Sequence, residues 1–320
     1  MTTTHNIQPS VKNERLALKE RARTYFEMLQ RKICKVLEEV DGDNKFAEDR
    51  WAREEGGGGV TKVMEDGAVF EKAGVNVSTV FGVLPKAIAQ KMQVEPSDFF
   101  ATGVSLVIHP RSPMIPTVHA NYRYFEQADG DSWFGGGSDL TPYYPYEEDI
   151  IHFHETLRRA CDVHDSDYYT NFKKWCDEYF FIKHRGEARG VGGIFFDYLR
   201  GDGEKHLAFV QSVGDAFLDA YVPIVEKRKT EPWGEKEKAW QELRRGRYVE
   251  FNLVYDRGTA FGLETLGRTE SILMSLPPKV EWKYDVHPQN GSREAYLVEL
   301  LTSPRDWVSS TELLKNKRSS

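Results

Sequence analysis

Side chains able to bind an anion or move a proton are spaced regularly along residues 103–126, GVSLVIHPRSPMIPTVHANYRYFE. The segment predicts two strands joined by a proline-rich connection, and every second side chain of a strand points to the same face. Apolar residues then share one face, and a polar set shares the other. The polar set is Ser105, His109, His119, Asn121 and Arg123. A solvated face usually carries Lys, Glu and Thr, so this set indicates a surface of fixed hydrogen bonds, with a simple solvated sheet as the alternative.

A second segment, SWFGGGSDLT over Ser132–Thr141, predicts a strand that carries three glycines. Alternation places Gly135, Gly137 and Asp139 on one face of this strand. Glycine in a strand removes side chains where a backbone or a flat ligand must come close. We therefore expect a carboxylate at the end of a side-chain-poor surface that would accept a large ring compound. A glycine-rich bulge before a turn is the alternative.

Further histidines lie on predicted helices. Helical spacing places His154 on the buried stripe of a helix that begins in the run YEEDIIHFH, whereas His152 points to solvent. Four histidines could bind a divalent metal, although the chain contains no established ligand motif such as HExxH. They are His109, His119, His154 and His184. A buried histidine with ordinary hydrogen bonds is the alternative for His154.

Helices and short strands must position these residues. Residues 11–40 predict a long helix with one apolar stripe, and residues 46–82 predict antiparallel strands with tight turns. The glycines Gly56–Gly59 lead into another strand. They are therefore not a phosphate-binding loop, which opens a helix.

The second half of the chain predicts a different mixture of elements. Residues 206–229 predict a buried helix, and residues 227–247 a solvated helix and turn. Residues 248–259, YVEFNLVYDRGT, alternate like a strand, and residues 261–278 predict a loop bearing Arg268 and then an apolar strand. Central strands with helices before, between and after them predict an α+β fold, in which helices cover both faces of a large antiparallel sheet.

Composition restricts the class of protein. With 320 residues, 40% of them apolar, and no evident linker, we expect one domain over 1–320 with flexible tails at 1–10 and 310–320. The formal net charge of −7 argues against nucleic acid as a partner. The sequence shows no targeting signal and no transmembrane segment, which favours a cytoplasmic protein. Three scattered cysteines indicate a reducing compartment and exclude a Cys-ligated zinc or iron–sulfur motif.

Residue chemistry alone leaves three functions open. The histidines could form a metal-dependent oxygenase site. The glycine-lined surface could be a non-catalytic pocket for a large ring compound. The same pocket could also react its ligand, with arginines neutralising carboxylates, Asp139 binding ring N–H groups and a histidine moving protons. Since no cofactor fingerprint is present, this third function requires the substrate to supply the electrons.

Several long and unusual motifs occur in order between about Phe46 and about Trp282. They read WxRxEGGGG, VFEKAGVN, GVSLVIHPRSPMIPTVHANYRYFE, WFGGGSDLTPYY, KKWCDEYFFIKHRGEARGVGGIFFD, EFNLVYDRGTAFGLET and GRTESILMSLPP. In this combination the chain resembles the oxygen-dependent coproporphyrinogen III oxidases.

The resemblance implies an oxidoreductase of haem and porphyrin biosynthesis. Its reaction is the oxidative decarboxylation of two propionates of coproporphyrinogen III to vinyl groups, giving protoporphyrinogen IX, carbon dioxide and hydrogen peroxide. Molecular oxygen is the co-substrate and no cofactor is required, because a porphyrinogen is electron-rich enough to reduce oxygen. The resemblance also implies a seven-stranded antiparallel sheet and a homodimer with its contact over about 248–282. A non-catalytic tetrapyrrole-binding protein is the alternative.

The resemblance also assigns roles to residues of this chain. His119 takes the position of a proton donor, Asp139 that of a carboxylate that anchors or deprotonates pyrrole N–H groups, and Arg123 is the third catalytic candidate. The substrate-binding positions are Ser105, Asn121, Tyr122, Arg123, Leu266, Gly267 and Arg268. Some bacterial members are assigned a metal at the positions of His109, His119, His154 and His184. We expect metal-free chemistry, since the substrate itself is the reductant.

Two positions depart from the family pattern. Tyr198 stands where many members have a second Asp, and Leu266 replaces a usual Gly or Pro before Gly267. The second departure affects the expected shape of the substrate loop. The radical-based, oxygen-independent route to the same product needs a Cys-ligated iron–sulfur cluster, which three scattered cysteines cannot supply.

Overall fold

The computed structural model of the chain describes residues 9–84, 89–90, 97–264 and 267–308. Leu266, a predicted substrate-binding residue, lies outside these ranges. Among the helices described, none has both the length and the apolar character that crossing a bilayer requires.

Antiparallel strands form the centre of the molecule. They are β1 (Ala47–Ala52), β2 (Gly57–Glu65), β3 (Phe70–Val83), β4 (Asp98–Pro110), β5 (Thr117–Gln127), β6 (Ser132–Thr141), β7 (Phe181–Ile182), β8 (Glu187–Ala188) and β9 (Gly193–Leu199). In the described part of the chain, seven of them form one sheet in the order β1-β2-β3-β4-β5-β6-β9, and every neighbouring pair is antiparallel. The predicted α+β class and its large antiparallel sheet are confirmed.

Helices precede, interrupt and follow the strands. They are α1 (Pro9–Asp41), α2 (Glu147–Asp162), α3 (Tyr168–Tyr179), α4 (Gly203–Arg228), α5 (Glu235–Val254), α6 (Arg257–Glu264), α7 (Thr269–Leu273) and α8 (Arg293–Thr302). The early helix predicted over 11–40 and the buried helix predicted over 206–229 correspond to α1 and α4.

One face of the sheet supports the main hydrophobic core. Val104, Leu106 and Ile108 of β4 point to this face, as the alternation predicts, and pack with the apolar stripe of α1. Helix α4 lies against the neighbouring strands β5 and β6, and α2 packs on α4. Burial of this face fixes the strand register, because a shift of one residue would turn every apolar side chain to the other side.

The opposite face carries the polar residues. The register sets His119 of β5 opposite Asp139 of β6, Asn121 opposite Ser105 of β4, and Arg123 opposite Gly103. Paired residues of antiparallel strands point to the same face, so the polar sets of three strands form one surface. Helices α5, α6 and α7 contact this face. For example, the hydroxyl oxygens of Ser271 in α7 and Thr61 in β2 are 2.7 Å apart.

The strand predicted over 248–259 is wrong, because residues 248–254 continue α5, which runs from Glu235 to Val254, and residues 257–259 begin α6. A short alternating apolar run cannot be told from a buried helical segment by its period alone. The helix is also not the solvated one predicted for the charged run, since Arg245 has 0% exposure and lies 2.7 Å from Glu71. Arg244 pairs in the same way with Glu187. These buried ion pairs hold α5 on the strands.

Over 261–278 the predicted apolar strand is wrong, whereas Arg268 lies outside regular secondary structure, as predicted. Arg268 is the N-cap of the short helix α7, and the Met274 side chain that follows this helix lies over Gly74 of β3. The apolar residues of this run therefore belong to a helical turn that packs on the sheet. They do not form another strand.

Candidate active site

His119 and Asp139 are directly opposite each other on β5 and β6. His119 Nδ1 lies 2.7 Å from Asp139 Oδ1. Asp139 is buried, with 2% of its surface exposed, whereas His119 is half-buried. The imidazole is therefore the part of this pair that faces the open side of the sheet.

Arg189 occupies the other side of Asp139. Its Nη2 donates to both carboxylate oxygens, at 2.9 Å to Oδ1 and 2.7 Å to Oδ2. Burial alone would raise the pKa of Asp139, but the charge of Arg189 and the hydrogen bond with His119 outweigh burial and hold that pKa below its ordinary value. Asp139 is therefore ionised near neutral pH.

Aromatic side chains and one amide hold Arg189 in place. The guanidinium carbon lies 4.0 Å from the ring centre of Phe180 and 4.6 Å from that of Tyr248, both within cation–π range. Arg189 Nη1 donates to Asn252 Oδ1 at 2.8 Å. Tyr248 and Asn252 belong to α5, so this helix orients the cation beneath the acid.

A second polar chain leaves His119 on its other side. His119 Nε2 lies 3.2 Å from Asn121 Nδ2, and Arg123 Nη1 donates to Asn121 Oδ1 at 3.0 Å. Arg123 Nη2 then lies 2.8 Å from Asp197 Oδ2. A continuous row of contacts thus runs along the face from the buried Asp139 to the half-exposed Arg123.

A β-bulge positions Asp197. Residues 197 and 198 of β9 both stand opposite Gly135, because the register shifts between Phe134 and Gly136. Tyr198 has φ 51°, in the left-handed region that is strained for such a residue, and its N–H donates to Asp197 Oδ1 at 2.9 Å. The bulge therefore aims the Asp197 carboxylate at the arginines of the site.

Arg257 is a second cation at Asp197. Its Nη2 lies 3.7 Å from Asp197 Oδ2, and its guanidinium carbon lies 4.9 Å from the ring centre of Tyr179. Two arginines share one carboxylate here, so the local charge of the three groups is positive. A positive site that is partly exposed favours a ligand with carboxylate groups.

The glycines of this face make room for protein side chains, which corrects the expected open floor. A Cβ on Gly135 would come within 2.6 Å of Asp197 Oδ1 and 2.9 Å of Arg123 Cζ. Gly59 is covered by the ring of Trp51. Gly135 and Gly137 are both buried. The glycine at 135 therefore lets the Arg123–Asp197 pair lie close to the sheet.

The other predicted substrate-binding residues are placed unequally. Ser105 is half-buried on the polar face, opposite Asn121. Tyr122 points to the core with 0% exposure, and its hydroxyl contacts Ser138 Oγ at 2.7 Å, so its side chain does not reach the polar face. Gly267 and Arg268 lie at the start of α7, where Arg268 forms an ion pair with Asp49 of β1.

The structure also corrects the expected contact of Asp139 with a pyrrole N–H. Both carboxylate oxygens bind Arg189, one of them also binds His119, and the residue is buried. A bulky ligand cannot reach these oxygens in this arrangement. The only part of this pair that a ligand on the polar face could meet is therefore His119.

The four histidines proposed as metal ligands are not brought together. His109 Nε2 contacts the Ser275 carbonyl at 2.9 Å, His154 Nε2 contacts the Val191 carbonyl at 3.1 Å, and His184 contacts Glu250 at 2.6 Å. Burial lowers the pKa of His154 to about 3, so the inward-facing histidine is a neutral core residue. Among the described residues, no group of three or more His, Cys, Asp or Glu side chains is placed to hold a metal ion.

Arg189, Asp197 and Arg257 were missed by the sequence reasoning. Arg189 lies in the glycine-rich run RGVGG, which has no strand period. Arg257 lies near the end of the run 248–259 that predicts a strand, although it begins α6. Asp197 has a usable signal in the sequence, because it continues the alternation Gly193, Phe195 along the run that forms β9.

A comparison with known protein families identifies the family of this chain. A sequence model described as coproporphyrinogen III oxidase matches residues 21–307. The match includes the whole sheet and every element that contributes to the row of contacts between Arg189 and Asp197. The chain belongs to the coproporphyrinogen III oxidase family.

Proposed function

We propose that the protein uses molecular oxygen to convert two propionates of coproporphyrinogen III to vinyl groups, with protoporphyrinogen IX as the product. Family membership supports the substrate and the haem pathway. The observation that carries the proposal is that His119, held on the buried Asp139–Arg189 pair, shares one face with the half-exposed Arg123. A proton-transfer group thus lies beside a carboxylate-binding cation.

Arginines at two places on the face would bind the carboxylates of the substrate. Arg123 and Arg257 lie at one place, around Asp197. Arg268 lies at the other, paired with Asp49 on β1, four strand spacings from Arg123 on β5, or about 19 Å at the usual strand separation. A tetrapyrrole with carboxylates around its rim can contact both, provided that its propionates displace Asp49 and Asp197 from part of each guanidinium.

The reaction balances without a further reductant. Each of the two reacting propionates loses carbon dioxide and one hydrogen from the carbon next to the ring, and a double bond forms between the two remaining carbons. Two electrons pass to dioxygen, which takes up two protons and leaves as hydrogen peroxide. The residues of this chain bind and orient the carboxylates and hold or move protons at His119.

The first test is oxygen consumption on addition of coproporphyrinogen III, with carbon dioxide followed in the same sample. We expect both signals under air and neither without oxygen. Binding of the porphyrinogen without oxygen uptake would instead indicate a non-catalytic tetrapyrrole-binding protein. Loss of activity on chelation and its return with a divalent metal would indicate the metal-dependent alternative.

Replacement of Arg123 tests the carboxylate site. Arg123→Ala removes a charge-assisted contact worth about 1.5–3 kcal/mol, so kcat/KM should fall roughly 10- to 150-fold. Arg158→Ala is the matched control, because Arg158 is an exposed arginine that pairs with Asp162 of α2. Wild-type kinetics for Arg123→Ala would exclude Arg123 from substrate binding.

We also propose that the protein is a homodimer through about 248–282. Large apolar side chains are exposed along this range, at 53% for Leu253, 63% for Val254, 40% for Leu263 and 54% for Trp282. An exposed apolar patch of this kind favours contact with another chain. A second copy is the occupant that the family resemblance suggests.

A further inference from the structure

We propose that Asn121 is a positioning residue that fixes the tautomer of His119, so that Nε2 of the substrate-free imidazole is a proton acceptor. The tautomer follows from hydrogen-bond polarity and is independent of the reaction. Its catalytic consequence rests on the function proposed above.

The first constraint comes from the Asp139 side. Arg189 has only donors, and its Nη2 occupies both oxygens of Asp139. The carboxylate is therefore ionised and can only accept from its other neighbours. His119 Nδ1, 2.7 Å from Asp139 Oδ1, must carry a proton and donate it to that oxygen.

The second constraint comes from the Arg123 side. Arg123 Nη1 lies 3.0 Å from Asn121 Oδ1, and a guanidinium cannot accept, so the atom of the amide that faces it must be the oxygen. The NH₂ group of Asn121 then faces His119. An amide NH₂ can only donate, so His119 Nε2, 3.2 Å away, must accept.

The two constraints agree although they arise from different arginines. The guanidinium groups of Arg189 and Arg123 lie at the two ends of the row, and both can only donate. Only one arrangement of protons fits between them: His119 is neutral, its Nδ1 is protonated and its Nε2 bears a lone pair. The first proton that His119 handles must then arrive at Nε2. In that step an N–H bond of the porphyrinogen breaks, its electron pair stays on the pyrrole nitrogen, and an Nε2–H bond forms.

The resulting imidazolium would be stabilised by Asp139. Asn121 covers Nε2 in the free protein, so the substrate must turn the amide aside to reach it. A propionate bound to Arg123 can do this, because it takes the guanidinium donor that holds Asn121 Oδ1. Carboxylate binding at Arg123 would therefore uncover the base.

The experiment reads the two ring nitrogens of His119 directly. The full-length protein is labelled with ¹⁵N-histidine, and long-range ¹H–¹⁵N correlation at one mildly alkaline pH distinguishes protonated from unprotonated ring nitrogens. The signals of His119 are identified by their loss in His119→Gln. In the wild-type protein we expect a protonated Nδ1 and an unprotonated Nε2.

Asn121→Asp reverses the polarity at Nε2. The new carboxylate still pairs with Arg123, but it can only accept from His119, so Nε2 should gain a proton and both ring nitrogens should be protonated. Asn76→Asp is the matched control, because Asn76 lies two strands away in the same register and does not contact His119. The ring pattern should stay as in the wild type in this variant.

The outcomes separate the proposal from its alternatives. A protonated Nε2 in the wild-type protein, or an unchanged ring pattern in Asn121→Asp, would overturn the role of Asn121. If turnover is observed, Asn121→Asp should lower kcat about 100-fold or more, as for loss of a general base, with a smaller change in KM. A change in KM alone would make Asn121 a substrate contact only. The nitrogen pattern is measured without substrate, so it decides the tautomer even if the proposed reaction is not observed.

Discussion

The state of His119 depends on charges that it does not touch. Arg189 acts on it through Asp139, and Arg123 acts on it through Asn121. The polar residues of this row that lie on β5 follow from period-two alternation and were predicted. Arg189 could not be predicted, because it lies in a run without regular structure and reaches Asp139 only through the packing of α5.

Removal of the Asp139 carboxylate should abolish most turnover and also destabilise the fold. In Asp139→Ala the guanidinium of Arg189 is buried without its ion-pair partner, which costs about 3–5 kcal/mol of unfolding free energy. Urea denaturation measures this loss. Adding Arg189→Met to the same variant should recover most of the stability but not the activity. Full stability of the single variant would contradict the buried ion pair.

The two glycines of β6 should respond differently to an added methyl group. In Gly135→Ala the added Cβ meets the ends of the flexible Arg123 and Asp197 side chains, so this ion pair should shift. We expect KM to rise several-fold and the free energy of unfolding to change little. In Gly137→Ala the Cβ meets the Ile194 backbone carbonyl, which cannot move alone, so unfolding should cost about 1–3 kcal/mol less. Steady-state kinetics and urea denaturation of both variants test this contrast. Equal kinetics and stability in the two variants would contradict it.

The C-terminal part of helix α5 was wrongly predicted as a strand. The period of the run YVEFNLV is ambiguous over so few residues, and the interactions that decide it are distant in sequence. Arg245 pairs with Glu71, and Arg244 with Glu187. The strands were easier to predict, because burial of one face imposes alternation on the residues of each strand.

Glu250 connects three elements of the chain. Its carboxylate accepts from Arg185 after β7, contacts His184, and accepts from Trp282 beyond α7. Burial alone would raise the pKa of Glu250, but the hydrogen bonds with Arg185, His184 and Trp282 lower it to about 2. A carboxyl with a lowered pKa stabilises the fold above its unfolded value, and this contribution is lost as the pH falls through the folded value.

Glu250→Gln should therefore destabilise the protein in a pH-dependent way. Near neutral pH we expect a loss of about 1–2 kcal/mol, because the group is partly exposed and solvent screens its partners. The difference from the wild type should narrow as the pH falls from about 4.5, the ordinary value, towards about 2. Urea denaturation across this range measures it. Glu242→Gln on the same helix is the control, since Glu242 forms no ion pair with the residues that the structure describes, and an equal loss in both variants would contradict the prediction.

The polar face and the proposed dimer contact meet on the same helix, α5. The buried side of α5 orients Arg189, and the exposed end of the same helix carries Leu253 and Val254. Sequence pattern alone could not separate these two roles, because it assigned 248–259 to a strand. The resemblance supplied the dimer range, and the helical structure shows which of its side chains are available for contact.

Replacement of Leu253 tests the dimer. Leu253→Glu places a charge in the exposed apolar patch, and burial of an unpaired charge is costly, so the variant should sediment as a monomer while the wild type sediments at twice the 36.8 kDa of one chain. Val163→Glu is the control, because Val163 is 78% exposed at the end of α2, outside the proposed contact. Its oligomeric state should match the wild type.

A monomeric wild-type protein would exclude the proposed dimer, and a Leu253→Glu variant that stays dimeric at low concentration would place the contact elsewhere. Since α5 also orients Arg189, a monomeric variant that keeps full turnover would show that the helix holds the site without help from a second copy.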